Sequence, residues 1–167
     1  MKFRAAFGCA LALLALDLWT KNWAHRRLQY QDVEIIPNFF RLSLVHNSGI
    51  AFGLLDDPSG AGPVKPLVLI AVGATALVIV TLYALRMPPG ARLAQLAVGC
   101  LLGGILGNMV DRILRSYVVD FLEFNLYFFK FPTFNVADAA ITVGAALLLL
   151  VGLRAEGSRS SAGVQGD

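Results

Sequence analysis

Four stretches of the chain are apolar for long enough to cross a hydrocarbon core, which needs about 20 helical residues. They cover residues 3–23, 64–85, 93–113 and 136–153, the last lengthened toward the interface by Phe134 and the residues before it. Between the first two lies a long connection with a different rhythm. Over residues 39–46, Phe40, Leu42 and Leu44 alternate with Arg41, Ser43 and Val45, the period of a strand. Asn47-Ser48-Gly49 predicts a turn, apolar residues resume over 50–55, and Asp56-Asp57-Pro58-Ser59-Gly60 closes the segment as a polar loop. The connection 114–134 is crowded with aromatics, among them Tyr117, Phe121, Phe124, Tyr127, Phe128, Phe129 and Phe131, which suit a water–lipid boundary. The Gly/Ser-rich tail 156–167 predicts disorder. The expected fold is a membrane protein, mainly α, with four transmembrane helices and a small β element between helices 1 and 2. A single domain would occupy residues 1–155, with the β-containing loop at 24–63.

Composition agrees with that class. The chain of 167 residues is 57% hydrophobic and only 15% charged, and its mean hydropathy is +0.67. A formal charge of +3 does not imply nucleic acid, because the basic residues are scattered and no Arg/Lys run interleaves with aromatics. Their placement reads as topology instead. Lys2 and Arg4, Arg86 and Arg92, and Arg154 and Arg159 all lie on one side of a four-span chain, which the positive-inside rule makes cytoplasmic. Cys9 and Cys100 fall within spans and are expected to be reduced, buried small residues. The first apolar stretch is expected to be a retained helix, since it ends in Asp17, Lys21 and Trp23 without a small-x-small cleavage site.

The informative polar residues gather toward one membrane face. The stretch between the third and fourth apolar runs is not itself a span, so the end of the third span and the start of the fourth share a side. Asp120 and Asp138 share it with them. Carboxylates at the edge of lipid are costly, and two Asp that share a proton can activate water for peptide hydrolysis. Taken singly, each has a structural reading: Asp120 as a surface acid, Asp138 as a helix N-terminal acid with Asn135 as the cap. Asp17 and Lys21 are four apart in the favourable acid-first order and read as a buried pair that fixes helix packing. Asn108, Asp111 and Arg112 sit at i, i+3 and i+4 beside Gly103, Gly104 and Gly107, which admit a close neighbour helix. Asp111 and Arg112 form a structural network, or Arg112 holds a carboxylate or substrate carbonyl; both readings can be true. Asn47 is a hairpin-turn residue or part of a substrate-binding edge.

Competing chemistry is thin. Ser43 or Ser48 with Lys21 or Lys65 carries no Ser–Lys motif, and His25 and His46 lack the partners of a zinc protease. A proton-coupled transporter would spread its acids through the membrane depth, whereas these crowd one end. A non-catalytic assembly factor would tolerate loss of either aspartate.

Five blocks in order resemble the bacterial lipoprotein signal peptidase (signal peptidase II) family. They are Asp17-Leu18-Trp19-Thr20-Lys21, Asn47-Ser48-Gly49-Ile50-Ala51-Phe52-Gly53, Gly107-Asn108-Met109-Val110-Asp111-Arg112, Val118-Val119-Asp120-Phe121 and Phe134-Asn135-Val136-Ala137-Asp138. The resemblance implies Asp120 and Asp138 as the catalytic dyad. It implies Asn47, Asn108, Arg112 and Asn135 as residues lining the binding site, with Asp17, Lys21 and Asp111 as supporting polar groups. It further implies cleavage of prolipoprotein signal peptides before a cysteine carrying a diacylglyceryl group, and inhibition by globomycin-type cyclic peptides. The implied setting is the bacterial inner membrane lipid, with both termini cytoplasmic and the β element and dyad at the periplasmic face. No metal and no organic cofactor is implied.

Overall fold

A computed structural model of the chain describes residues 3–49, 64–88 and 90–163. The expected strand resumption at 50–55 and the polar loop after it lie outside the described residues. Among these residues four helices carry the fold: α1 (Arg4–Arg27), α2 (Val64–Arg86), α3 (Arg92–Arg115) and α4 (Val136–Gly163). Among the described residues, three regions are long and apolar enough to cross a membrane, namely Pro66–Arg86, Arg92–Arg115 and Val136–Arg154. Helix α1 is as long as α3, with 24 residues each, but it carries Arg4, Asp17, Lys21 and a basic final turn of His25, Arg26 and Arg27. Helix α4 continues to Gly163 through residues whose composition predicts disorder. Helix α1 likewise runs on to Arg27, beyond the expected boundary at residue 23.

Helix α3 is the centre of the molecule. Helices α1, α2 and α4 each pack on it, while the backbones of α1 and α2 do not approach one another closely among the described residues. Lipid is as apolar as Leu, so these contacts depend on close fit rather than on exclusion of water. Glycines supply the fit. A β-carbon on Gly103 would lie 2.8 Å from the Ala10 carbonyl of α1, and one on Gly104 would lie 2.5 Å from the Ala137 carbonyl of α4. Both obstacles are backbone, which cannot rotate aside. Gly104→Val is therefore expected to lower stability by about 1–3 kcal/mol through overpacking. It should also displace the first turn of α4. Thermal unfolding in detergent reads the first effect, and unchanged unfolding contradicts it. Cys9 and Cys100 are free and only partly buried, their sulfurs 3.8 Å apart across the same α1–α3 seam.

The β element is larger than the sequence predicts and is assembled from two connections. Strands β1 (Val33–Ile36) and β2 (Phe40–Asn47) come from the segment between α1 and α2, while β3 (Val118–Leu126) and β4 (Phe129–Lys130) come from that between α3 and α4. They form an antiparallel sheet in the order β1-β2-β3-β4. The placement of the β element solely between helices 1 and 2 is thus corrected. Residues 118–121 read as a short extended segment, but the aromatic density of 114–134 suits a sheet as well as a membrane boundary, so the strand's length and its pairing are not legible there.

This sheet sets the surroundings of Asp120. Beyond a register shift between Leu42 and Val45, Val45 faces Asp120 and Asn47 faces Val118, which makes Asn47 a diagonal neighbour of Asp120. The chain then turns back, and the Phe134 carbonyl accepts from the amides of Phe121 and Leu122 at 3.1 and 2.9 Å. That return delivers Asn135 beside Asp120 at the mouth of α4.

Candidate active site

The start of α4 is built as a reciprocal cap. The Asp138 backbone amide donates to Asn135 Oδ1 at 2.9 Å, and the Asn135 amide donates to Asp138 Oδ2 at 3.2 Å. Such a box satisfies two of the helix's orphan donors. A third, the Ala137 amide, donates to Asp17 Oδ1 of α1 at 2.8 Å. The acids at this helix start also face the positive end of its dipole.

Asn135 does more than cap. Its Nδ2 donates to Asp120 Oδ1 at 2.7 Å and to Asn108 Oδ1 at 3.2 Å. Asn108 Nδ2 in turn donates to Asp138 Oδ1 at 2.7 Å. From the sheet, Asn47 Nδ2 donates to Asp120 Oδ2 at 2.9 Å, while Asn47 Oδ1 accepts the Gly49 amide. Two carboxylates from different elements are therefore joined through Asn135 and Asn108.

The two acids differ in surroundings. Asp120 is 1% exposed, whereas Asp138 is half-buried. Burial pushes the Asp120 carboxyl up to about 6, the nearby Asp138 charge acting in the same direction, against the amide bonds from Asn47 and Asn135.

Beneath this pair lies a fully buried ammonium. Lys21 Nζ is 2.7 Å from Asp17 Oδ2, 2.9 Å from Asn108 Oδ1 and 3.5 Å from Asp111 Oδ2. Asp111 also accepts the Val119 amide at 3.0 Å and pairs with Arg115. Lys21 thus ties α1 to the start of α4 through Asp17, to β3 through Asp111, and to Asp138 through Asn108. Arg112 donates weakly to the Asn108 carbonyl at 3.4 Å, and its buried Nε has no partner among the described residues. Its guanidinium keeps donor capacity for something else.

The model of the signal peptidase II family, described as "Signal peptidase (SPase) II", matches residues 9–154. The chain belongs to that family. A lipoprotein signal peptidase of Burkholderia vietnamiensis is 40% identical over 147 residues, covering 88% of this chain and 86% of that one. One from Acinetobacter baylyi is 38% identical over 144 residues, covering 86% and 78%. Two solved structures described as bacterial membrane enzymes superimpose with TM-scores of 0.78 and 0.77 at 26% and 28% identity. Each spans 89% of this chain, against 87% and 92% of its own length. As a signal peptidase II, the chain is an aspartic-type peptidase and a membrane protein.

All nine residues singled out in this signal peptidase II sequence lie in or against one connected polar cluster. Asp17, Lys21, Asn108, Asp111, Asn135, Asp120, Asp138 and Asn47 are linked by the bonds above, with Arg112 alongside. Among the described residues, no group of three or more His, Cys, Asp or Glu has the arrangement of a metal site. Sequence reasoning missed the second role of Asp17, the cap on α4, because that contact joins residues 120 positions apart. It also missed an outer cluster on the sheet. There Glu123, only 4% exposed, meets Arg41 Nε at 2.6 Å and Lys130 Nζ at 3.1 Å. Burial would raise the Glu123 carboxyl, but its bonds to Arg41 and Lys130 outweigh that and hold it below the usual range. The strand pairing of Arg41 with Glu123 was the available signal, once residues 118–126 are read as a strand.

Proposed function

We propose that this chain is an intramembrane aspartyl endopeptidase that removes signal peptides from diacylglyceryl-modified prolipoproteins by cleaving before the lipidated cysteine. The single observation that carries the reading is the Asn135 bridge, which holds Asp120 by its side chain and Asp138 by its backbone amide. In this reading the chain spans the bacterial inner membrane four times, with cytoplasmic termini and the two aspartates at the periplasmic face. Globomycin-type peptides would inhibit by occupying the same cleft. The polar cluster sits at one end of the bundle, which favours hydrolysis at the lipid boundary over a proton relay through the membrane.

Chemistry follows from the asymmetry of the acids. Asp138, the more accessible, takes a proton from water as that water attacks the scissile carbonyl carbon. Protonated Asp120 donates to the carbonyl oxygen, giving a neutral gem-diol. Asp138 then passes its proton to the leaving nitrogen as the C–N bond breaks, and Asp120 recovers a proton from the diol. Both acids return to their starting states. Arg112, with its unpartnered Nε, holds a substrate backbone carbonyl nearby, and the adjacent asparagines hold the extended peptide.

The pH dependence has a definite sign. If Asp120 must be protonated, kcat/KM falls as pH rises above about 6, the value to which burial pushes that group in the free enzyme. A flat profile between about pH 5 and 8 contradicts this assignment. The substrate class is tested by incubating purified protein with a lipidated preprolipoprotein and with the same precursor lacking the diacylglyceryl group. Cleavage of the lipidated form alone is expected. Equal cleavage of both overturns the proposed substrate.

A further inference from the structure

Helices α1 and α2 both pack on α3 without a close approach of their own backbones, and between them lies an apolar groove of about 500 Å³ floored by α3. It runs from Phe3 just before α1, Leu85 of α2 and Val98 of α3 at one end to Leu14, Leu77 and Leu106 at the other. Phe3 to Leu14 is roughly 16 Å of helix at 1.5 Å per residue. That matches one leaflet, half of a hydrocarbon core about 30 Å thick. The groove stops one turn short of Asp17, so it is separate from the Asp120 cluster. The end at Phe3 and Leu85 is rimmed with positive charge. Arg4 follows Phe3, Arg86 follows Leu85, and Arg92 opens α3; all three are exposed and pair with no carboxylate among the described residues.

Two occupants suit an apolar groove in a membrane: a helix or an acyl chain. The groove is one leaflet long and its rim is basic, whereas a signal helix crosses both leaflets and would bring a basic end to that rim. We propose that this groove holds an acyl chain of an anionic phospholipid of the cytoplasmic leaflet, its headgroup at Arg4, Arg86 and Arg92. The leaflet assignment rests on the orientation proposed above.

The test reconstitutes the whole protein in nanodiscs of equal phosphatidylglycerol and phosphatidylcholine, then measures retained lipid by native mass spectrometry after mild detergent extraction. Wild type is expected to retain phosphatidylglycerol preferentially. Thr81→Trp, which fills the groove from the lipid-facing side of α2, should retain none, and Thr81→Phe serves if the larger residue impairs folding. Arg86→Gln and Arg92→Gln should keep a lipid but lose about fivefold of the preference each, as expected for one interfacial guanidinium. Equal retention in the filled variants, or unchanged preference in the rim variants, overturns the proposal. So does a photo-crosslinker at Leu77 that captures a substrate signal helix instead of lipid. Since lipid retention is read without cleavage, its failure is distinct from failure of the peptidase reading.

Discussion

Asp120→Asn is expected to abolish peptide cleavage while leaving the protein at least as stable as the wild type near pH 7. The two effects separate because burial, which would suit the group to the proposed role of proton donor, also makes its charge costly. In the unfolded chain an Asp titrates near 3.9, and in the fold this one is pushed up to about 6. Below the lower value both states are protonated and the group contributes nothing. Above the upper value both are ionised, and the fold bears a penalty of about 2–3 kcal/mol, at 1.36 kcal/mol per pKa unit. Stability attributable to this group therefore falls as pH rises from about 4 to about 6. An asparagine removes the charge and the penalty, but its amide nitrogen conflicts with one of the donors Asn47 and Asn135. The gain and the conflict roughly offset, at about 1–3 kcal/mol for a displaced buried hydrogen bond. Thermal unfolding at pH 5 and pH 8 reads the balance: the variant should gain on the wild type at the higher pH. A variant that unfolds many degrees below the wild type at both pH values contradicts the account.

Lys21→Met is expected to have the largest effect on stability. Removing the ammonium leaves Asp17 and Asp111, both fully buried, without the cation they share. Breaking a buried pair by deleting one partner typically costs 3–5 kcal/mol, because the surviving charge stays uncompensated. Arg115 still neutralises Asp111 from its exposed side, so the burden falls on Asp17. The loss spreads further than one ion pair. Asp17 anchors the Ala137 amide at the start of α4, and Asn108, which also leans on Lys21, holds Asp138. Cleavage should therefore fall together with stability. Asp17→Asn with Lys21→Met, which removes one charge of each sign, should recover part of the stability lost in the single variant. Detergent unfolding of the two variants side by side checks this, and no recovery contradicts the pairing.

Much of the candidate site was legible because topology constrains it. The apolar periods alone put Asp120 and Asp138 at one face, and the spacing of Asn135 and Asp138 announced a helix cap. Helical spacing also brought Asn108 and Asp111 to one side of α3. What the sequence concealed are contacts between distant segments. Lys21 was readable as the partner of Asp17, four residues away, but not of Asn108, 87 residues on. The pairing of Asn47 with Asp120 depends on β3 joining β2, and no local pattern announces a contact between residues 73 positions apart. A register shift in β2 also sets which residue faces Asp120, and no local pattern announces it.

The central claim is that both carboxylates act on the water and the scissile bond. It is tested most directly by the rate at which purified wild type, Asp120→Asn and Asp138→Asn cleave one lipidated preprolipoprotein at the same pH, with an unfolding trace for each. Both variants are expected to be folded and to lose about 10²–10⁴-fold or more in rate, the scale of general acid–base help. A folded variant of either aspartate that cleaves within tenfold of the wild type would contradict the two-carboxylate mechanism.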